Sequence, residues 1–313
     1  MHPAFSVIFL TTLLGVGQGL FIALFVALLG ADLGVLPPMD RVGFHAVGGA
    51  LSLAFLGLGL IASVFHLGRP ERGWRSAARW RTSWLSREVI VLPAFMAAVF
   101  FYAVGMYFGW PGMLELAAVG VVLSLALFLC TGMIYACLKF LQEWHSPLTV
   151  VNYLLLGLAS GFTAATVLAA YLGDVNVRFF GGWAIALTVT ALLTRGASLI
   201  RNARLKPKST LQTAIGVRHS RIVQKSQGFM GGSFNTREFF HGRGAAVLRN
   251  LKWVFLVLVF PVPVALLVAG MAGPAVGVLA AAFVLQYAGL LVERWFFFAQ
   301  ANHPQNLYYQ TVS

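Results

Sequence analysis

Eight long apolar runs are the feature of this chain that most limits what it can fold into. They lie at about 4–30, 43–65, 88–109, 113–138, 149–172, 179–200, 248–270 and 274–298. Each run is long enough to cross the roughly 30 Å hydrocarbon core of a bilayer as a helix. The runs are continuous rather than alternating, which argues against a membrane barrel. The sequence therefore predicts an all-α integral membrane protein with eight transmembrane helices.

The basic residues are distributed unevenly between the two sides of these spans. Twenty of the 22 lysines and arginines lie on the side that also holds both termini, and only Arg41 and Arg178 lie on the other. Since basic loops stay in the cytoplasm, we expect a multi-pass protein of the bacterial inner membrane with cytoplasmic N- and C-termini. The net charge of +13 is then mainly a topology signal. It fits the lipid bilayer or an acidic partner subunit better than nucleic acid.

The two halves of the chain share one loop plan. Residues 1–138 and 139–313 each contain a modest outer loop, a long basic inner loop and a very short outer turn. The inner loops are 66–88 in the first half and 201–247 in the second. This repetition predicts two four-helix bundles. The sequence leaves open whether the first part of the second loop, 203–225, is ordered.

Several chemistries are disfavoured by what the apolar runs contain. None of the seven histidines lies in the middle of a run, so we expect no haem. Cys130 and Cys137 lie seven residues apart in span four, where packing is expected and a metal site is not. The polar residues near the middle of the runs are uncharged, which disfavours an ion-coupled carrier. A stand-alone carrier of small anions, bound by the arginine loop, remains the alternative from another functional class.

The loop 66–88 combines one histidine, two glutamates and six arginines between two adjacent spans. A quinone needs a hydrogen-bond donor at its carbonyl oxygen and a protonatable relay to water. His66 fits the donor and Glu88 the relay, while nearby arginines can hold negative charge. The simpler alternative is that the arginines only set the topology. The expected quinone-binding residues are His66, Glu88, Arg69, Arg72, Arg75, Trp74 and Arg87.

At these residues the chain resembles the membrane-anchor subunit family of dimethyl sulfoxide reductase. The similarity lies in His66-Leu-Gly-Arg-Pro, Trp74-Arg75, Arg81-Thr-Ser-Trp-Leu-Ser-Arg-Glu88, Glu293-Arg-Trp-Phe-Phe-Phe-Ala299 and His303-Pro-Gln-Asn-Leu-Tyr-Tyr309. The resemblance implies a haem-free, metal-free anchor that binds ubiquinone or menaquinone, or the corresponding quinol. It also implies two partners, a ferredoxin-like iron–sulfur subunit and a molybdopterin catalytic subunit. In this resemblance the functional histidine and glutamate of the family fall on His66 and Glu88.

Other segments resemble the anchors of cytoplasmic sulfite dehydrogenases within that family. They are Met1-His-Pro-Ala-Phe-Ser-Val, Gly216-Val-Arg-His219 and the stretch from Gly228 to His241. This favours sulfite oxidation coupled to quinone reduction, with a quinol-oxidising anchor of a sulfoxide reductase as the alternative. The sequence contains no catalytic centre of its own in this interpretation. The residues expected to dock the partner are Arg79, Arg81, Phe234, Arg237, Phe239 and His241.

Overall fold

The structure is a computed structural model that describes residues 1–65, 67–223, 225–226, 238–273 and 275–308. The described residues form helices joined by loops and contain no strand. Eight stretches are long and apolar enough to cross a membrane, which confirms the predicted all-α class and the number of spans. They are α1 (Phe5–Asp32), α2 (Val47–Val64, preceded by a π-helical turn Arg41–Ala46), α3 (Trp84–Phe108), α4 (Met113–Ala136), α5 (Pro147–Tyr171), α6 (Val177–Ala203), the pair α8 (Ala245–Val259) and α9 (Pro261–Ala272), and α10 (Val276–Ala299).

Shorter helices lie in the loops. A 3₁₀ helix spans Pro70–Arg79, α7 spans Leu211–Ile215 and α11 spans Gln305–Tyr308. The N-terminus and the residues that follow α10 meet on one side, where the Met1 amine donates to the Ala301 carbonyl at 2.6 Å. The His2 amide also donates to the Glu238 carbonyl at 2.7 Å. We call this side, made of residues 65, 67–83, 137–146, 204–223, 225–226, 238–244 and 300–308, the basic face.

Two of the basic residues lie inside spans rather than in loops. Arg195 lies within α6 and Arg294 within α10, and both side chains are buried. Their neighbours supply ion-pair and ring contacts that allow a guanidinium to remain below the surface. The Cys137 side chain is exposed at the end of α4, so only Cys130 has the packing role expected for both.

The seventh span is bent at its centre, as its prolines suggest. Phe260 separates α8 from α9 with φ −112° and ψ −79°, directly before Pro261. Pro263 has no amide hydrogen and cannot bond to the Val259 carbonyl four residues earlier. The Gln286 side chain of α10 approaches that carbonyl at 3.5 Å and donates to Thr188 of α6 at 3.1 Å. A neighbouring helix thus partly replaces the hydrogen bond that the proline removes.

The core of the molecule is the crossing of α1 and α5. A glycine series on α1 meets one on α5, and Gly15 faces the Gly157 backbone so closely that a Cβ added there would lie 3.3 Å from its Cα. A Cβ added at Gly161 would overlap the backbone of Gly19 and Leu20. Small residues spaced four apart allow two membrane helices to pack backbone against backbone. The close crossing leaves α1 and α5 as the most buried spans.

The helix pairings of the first half recur in the second. The α1–α2 and α3–α4 pairs of the first half correspond to α5–α6 and to the packing of α8 and α9 on α10. Across the boundary, α1 packs on α5 and also touches α10, while α4 packs on α5. The two halves are therefore joined along a broad seam. The division into two four-helix bundles at residue 138 stays a prediction.

Replacing Gly161 by valine should destabilise the protein because the α1–α5 crossing has no room for the side chain. We expect a cost of about 3 kcal/mol and a fall in the unfolding temperature of roughly 5 °C or more. Thermal unfolding in mild detergent, followed by circular dichroism, measures the shift. Gly182→Val is the matched control, since Gly182 is exposed on α6 with free space around it. Equal stability of both variants would contradict the close crossing.

Candidate functional site

The loop before α3 presents stacked basic and aromatic side chains to the outside. Trp74 is 72% exposed, and the Arg75 guanidinium lies 5.6 Å from the centre of its ring. Arg81 takes the same position over Trp80 at 5.4 Å. Exposed contacts of this kind contribute only about 0.5–1 kcal/mol, so the side chains remain available to other partners. The other exposed arginines of the loop are Arg69, Arg72 and Arg79.

Arg87 holds this loop against the start of α3. Its Nε donates to the Trp80 carbonyl and its Nη2 to the Arg81 carbonyl, both at 2.9 Å. The guanidinium also lies 4.2 Å from the centre of the Trp84 ring. The Arg87 guanidinium therefore binds groups of its own loop. Its role in this structure is to fix the turn that leads into the helix.

Glu88 is the expected site residue that the structure buries. Helix α3 begins at Trp84, capped by the Ser83 hydroxyl, which places Glu88 inside the helix instead of at its mouth. The Glu88 side chain turns inward, and the residue is 7% exposed. The Thr131 hydroxyl of α4 donates to Glu88 Oε1. Among the described residues no loop arginine forms an ion pair with Glu88, so the expected charge pairing with Arg69, Arg72 or Arg75 is not formed here.

A buried ion cluster lies on the same side of the membrane, between α6 and α10. Arg195 Nε lies 2.8 Å from Glu293 Oε1, and both side chains are almost fully buried. Arg294 Nη2 lies 3.8 Å from Glu293 Oε2. The Arg294 guanidinium stacks over the Tyr153 ring of α5 at 3.7 Å. This cluster was not predicted from the sequence, although ionisable residues inside apolar runs are a signal that would have found it.

A small cavity joins this cluster to the basic face. It measures about 10 Å³, which is room for one water molecule. Asn152 donates to the Ser198 hydroxyl across it at 2.8 Å. Its lining extends from the ion cluster through the buried Ser146 and Thr149 to the partly exposed Glu143, Arg201 and Asn202. The cluster is thus connected to the water side by polar groups.

Two expected docking residues, Phe239 and His241, pack onto the protein itself. The Phe239 ring stacks on His303 with 3.8 Å between ring centroids, and its carbonyl accepts from Asn306. His241 lies 6.2 Å from the Trp295 ring. Burial lowers the pKa of His241 and that of His303 below the usual value, and nearby positive charge acts in the same direction. His66, Phe234 and Arg237 lie outside the described residues.

A second cavity lies at the opposite face, between α1, α3 and α4. It measures about 360 Å³ and is lined by His45, Met106, Met113 and Trp110 among others. His45 Nδ1 lies 2.8 Å from the Tyr102 hydroxyl. This pair is about 30 Å from the basic face, because His45 and Phe65 stand at opposite ends of one span. It is therefore separate from Glu88.

No metal-binding cluster is formed by the histidine, cysteine, aspartate and glutamate side chains that the structure describes. The polar groups described above are donors, acceptors and proton carriers. Glu88, Thr131 and the ion cluster can bind and pass protons. The exposed arginines and tryptophans of the loop can hold a partner protein. The arrangement therefore places groups that can exchange protons beside an exposed basic and aromatic surface.

Comparison with known proteins identifies the family of the chain. A sequence model of the DMSO reductase anchor subunit (DmsC) matches residues 1–309. The chain is 57% identical over 326 aligned residues to a sulfite dehydrogenase subunit from Allochromatium vinosum. That alignment covers the whole of both chains. This multi-pass membrane chain therefore belongs to the DMSO reductase anchor subunit family.

Proposed function

We propose that the chain is the quinone-reactive membrane anchor of a molybdopterin and iron–sulfur complex that oxidises sulfite. The observation that carries the proposal is Glu88, a carboxyl group buried at the membrane boundary directly below a basic, aromatic loop. A protonatable group at that depth is costly unless it has a task. Membership of the anchor subunit family supports such a role, since an anchor must connect a catalytic partner to the bilayer.

The direction of the reaction is supported by the sulfite dehydrogenase relative from Allochromatium vinosum, which matches the chain from end to end. Oxidation of sulfite with water gives sulfate, two protons and two electrons. The electrons pass through the iron–sulfur subunit to a quinone, which takes up two protons and becomes quinol. The anchor supplies the place where lipid-soluble quinone, electrons and protons meet.

The loop residues divide into two groups in this proposal. Glu88 delivers a proton to the quinone oxygen, and His66, placed by sequence beside Phe65, donates a hydrogen bond to it. The exposed side chains Arg69, Arg72, Trp74 and Arg75 line the approach to this point. Arg79 and Arg81 dock the iron–sulfur subunit together with Phe234, Arg237, Phe239 and His241. Arg87 holds both groups of residues in position by fixing the loop to α3.

The basic face is the cytoplasmic face in this proposal. It holds the long loops in which the arginines and lysines concentrate, and such loops are retained in the cytoplasm. The sulfite-oxidising subunit would then dock inside the cell, on the inner membrane. Protons released by sulfite oxidation and protons taken up by quinone belong to the same compartment.

Purification of the tagged chain from cells that also express its native neighbours tests the assembly. We expect molybdenum and iron to co-purify in mild detergent with one large and one small hydrophilic subunit. The sample should reduce a short-chain quinone analogue with sulfite, whereas rapid quinol oxidation by dimethyl sulfoxide would reverse the assigned direction. A chain that purifies without either metal would favour the anion carrier.

Glu88→Gln should abolish quinone turnover without preventing assembly, because glutamine keeps the shape but carries no exchangeable acid proton. General acid–base groups contribute about 10²–10⁴ in rate, so at least a hundredfold loss is expected. Sulfite-dependent quinone reduction by the purified complex measures it, with subunit content checked on the same sample. Glu115→Gln, at the exposed start of α4 on the opposite face, is the control. Normal turnover in Glu88→Gln would move the site elsewhere.

Turnover should build no membrane potential, because electrons and protons both enter from the cytoplasmic side. The complex in proteoliposomes, supplied with quinone and external sulfite, should give no signal from a potential-sensitive dye. An ionophore-induced potential in the same vesicles provides the positive control. Charge movement that depends on sulfite and collapses with valinomycin would refute this arrangement.

A further inference from the structure

The buried ion cluster at Arg195, Glu293 and Arg294 calls for an explanation beyond packing. Two guanidinium groups and one carboxylate lie inside membrane spans at no more than 4% exposure. Replacing a buried ion pair by well-packed apolar residues often leaves a protein equally stable or makes it more stable. Ionisable groups inside a membrane bundle therefore point to a functional pathway for ions or protons. The cavity at the cluster leads to the basic face, so protons from that side can reach it.

Polar atoms around the cavity have unused hydrogen-bonding capacity. Among the described residues, Arg195 Nη2, Arg294 Nε, Glu293 Oε2 and Asn152 Oδ1 are buried without a hydrogen-bond partner. Buried polar atoms are normally satisfied, and a buried water typically makes two to four such bonds. The cavity volume of about 10 Å³ accommodates a water molecule. Its lining thus suits a water that exchanges protons with the basic face.

Two tyrosines continue the polar path from this cavity towards α4. Tyr153 is buried beneath the Arg294 guanidinium and stacks on Tyr135, with 5.7 Å between ring centroids and 15° between planes. The Tyr153 hydroxyl lies beside the Tyr135 hydroxyl and Arg294 but meets hydrogen-bond geometry with neither in this arrangement. These contacts therefore connect Arg294 of α10 through Tyr153 of α5 to Tyr135 of α4.

The last steps connect Tyr135 to Glu88. Tyr135 and Thr131 are four residues apart on α4, which places them on one face of the helix. Thr131 already donates to Glu88 Oε1. This face of α4 is therefore the one that is turned towards Glu88. Hydroxyl groups both donate and accept, which allows each to pass on one proton while receiving another.

We propose that Tyr153, Tyr135 and Thr131 form a proton relay that recharges Glu88 from the cavity at the Arg195–Glu293–Arg294 cluster. This inference rests on the proposed function, in which Glu88 gives a proton to quinone. For each proton lost by Glu88, Thr131 transfers its hydroxyl proton to the carboxylate and receives one from Tyr135. Tyr135 is restored by Tyr153 and Tyr153 by water in the cavity, so every O–H bond broken in the relay is formed again. Glu293 and the two arginines position that water.

Phenylalanine substitutions at the two tyrosines test the relay, because phenylalanine keeps the ring contacts and removes only the hydroxyl. In the purified complex with sulfite and a short-chain quinone analogue, Tyr135→Phe and Tyr153→Phe should each lower kcat at least tenfold. The KM for quinone should change less than twofold. The ratio of rates in H₂O and D₂O should rise, since proton delivery becomes the slow step. Reduction of the iron–sulfur clusters by sulfite should stay at the wild-type rate.

Tyr102→Phe is the matched control, as it removes a buried phenol hydroxyl at the opposite face. Its kcat and solvent isotope effect should equal those of the wild type. Wild-type kcat and isotope effect in both relay variants, with Glu88→Gln inactive, would overturn the relay and leave the quinone site standing. A wild-type complex that reduces no quinone would instead overturn the proposed function. A variant with lower kcat but an unchanged isotope effect would assign the tyrosines a structural role only, against the relay.

Discussion

The glycine-lined crossing of α1 and α5 is the contact on which the rest of the structure depends. Without side chains between them, Gly15 and Gly157 bring the two backbones together, and Gly19 and Gly161 do so one turn further along. Because lipid tails are as apolar as the helices, close packing replaces the hydrophobic effect as the force that joins membrane spans. Helices α2, α4, α6 and α10 pack on this pair, and α3, α8 and α9 pack on those helices.

The close packing of the helices around α5 explains how charged groups are tolerated inside the bundle. Arg195 on α6 reaches Glu293 on α10, and Arg294 covers Tyr153 on α5 only because these helices lie close to α5 at the same depth. Each ionised group has a partner of opposite charge or an aromatic face, which offsets part of the desolvation cost. The carboxyl of Glu88 has a neutral partner, the Thr131 hydroxyl. It is therefore the group in this region best suited to gain and lose a proton.

The sequence was a good guide wherever one span or one loop carried the signal. The eight apolar runs predicted the eight spans, and Pro261 and Pro263 indicated the bend in the seventh. It was a poor guide to groups whose partners lie on other helices. The pairing of Arg195 with Glu293 was missed because the two residues are distant from each other in the chain. The arginines expected beside Glu88 proved to be exposed, since α3 begins before Glu88 and turns it inward.

The sequence by itself determined the membrane class, the number of spans and the basic face, because hydrophobic length and charge distribution act locally along the chain. It also marked Glu88 as a residue of interest, through its position beside a run of arginines. Only the tertiary structure decided that Glu88 pairs with Thr131 and that Tyr153 connects two helices to an ion cluster. Those contacts depend on how closely the spans approach one another. That approach is set by the packing of glycine faces, which only the assembled bundle brings together.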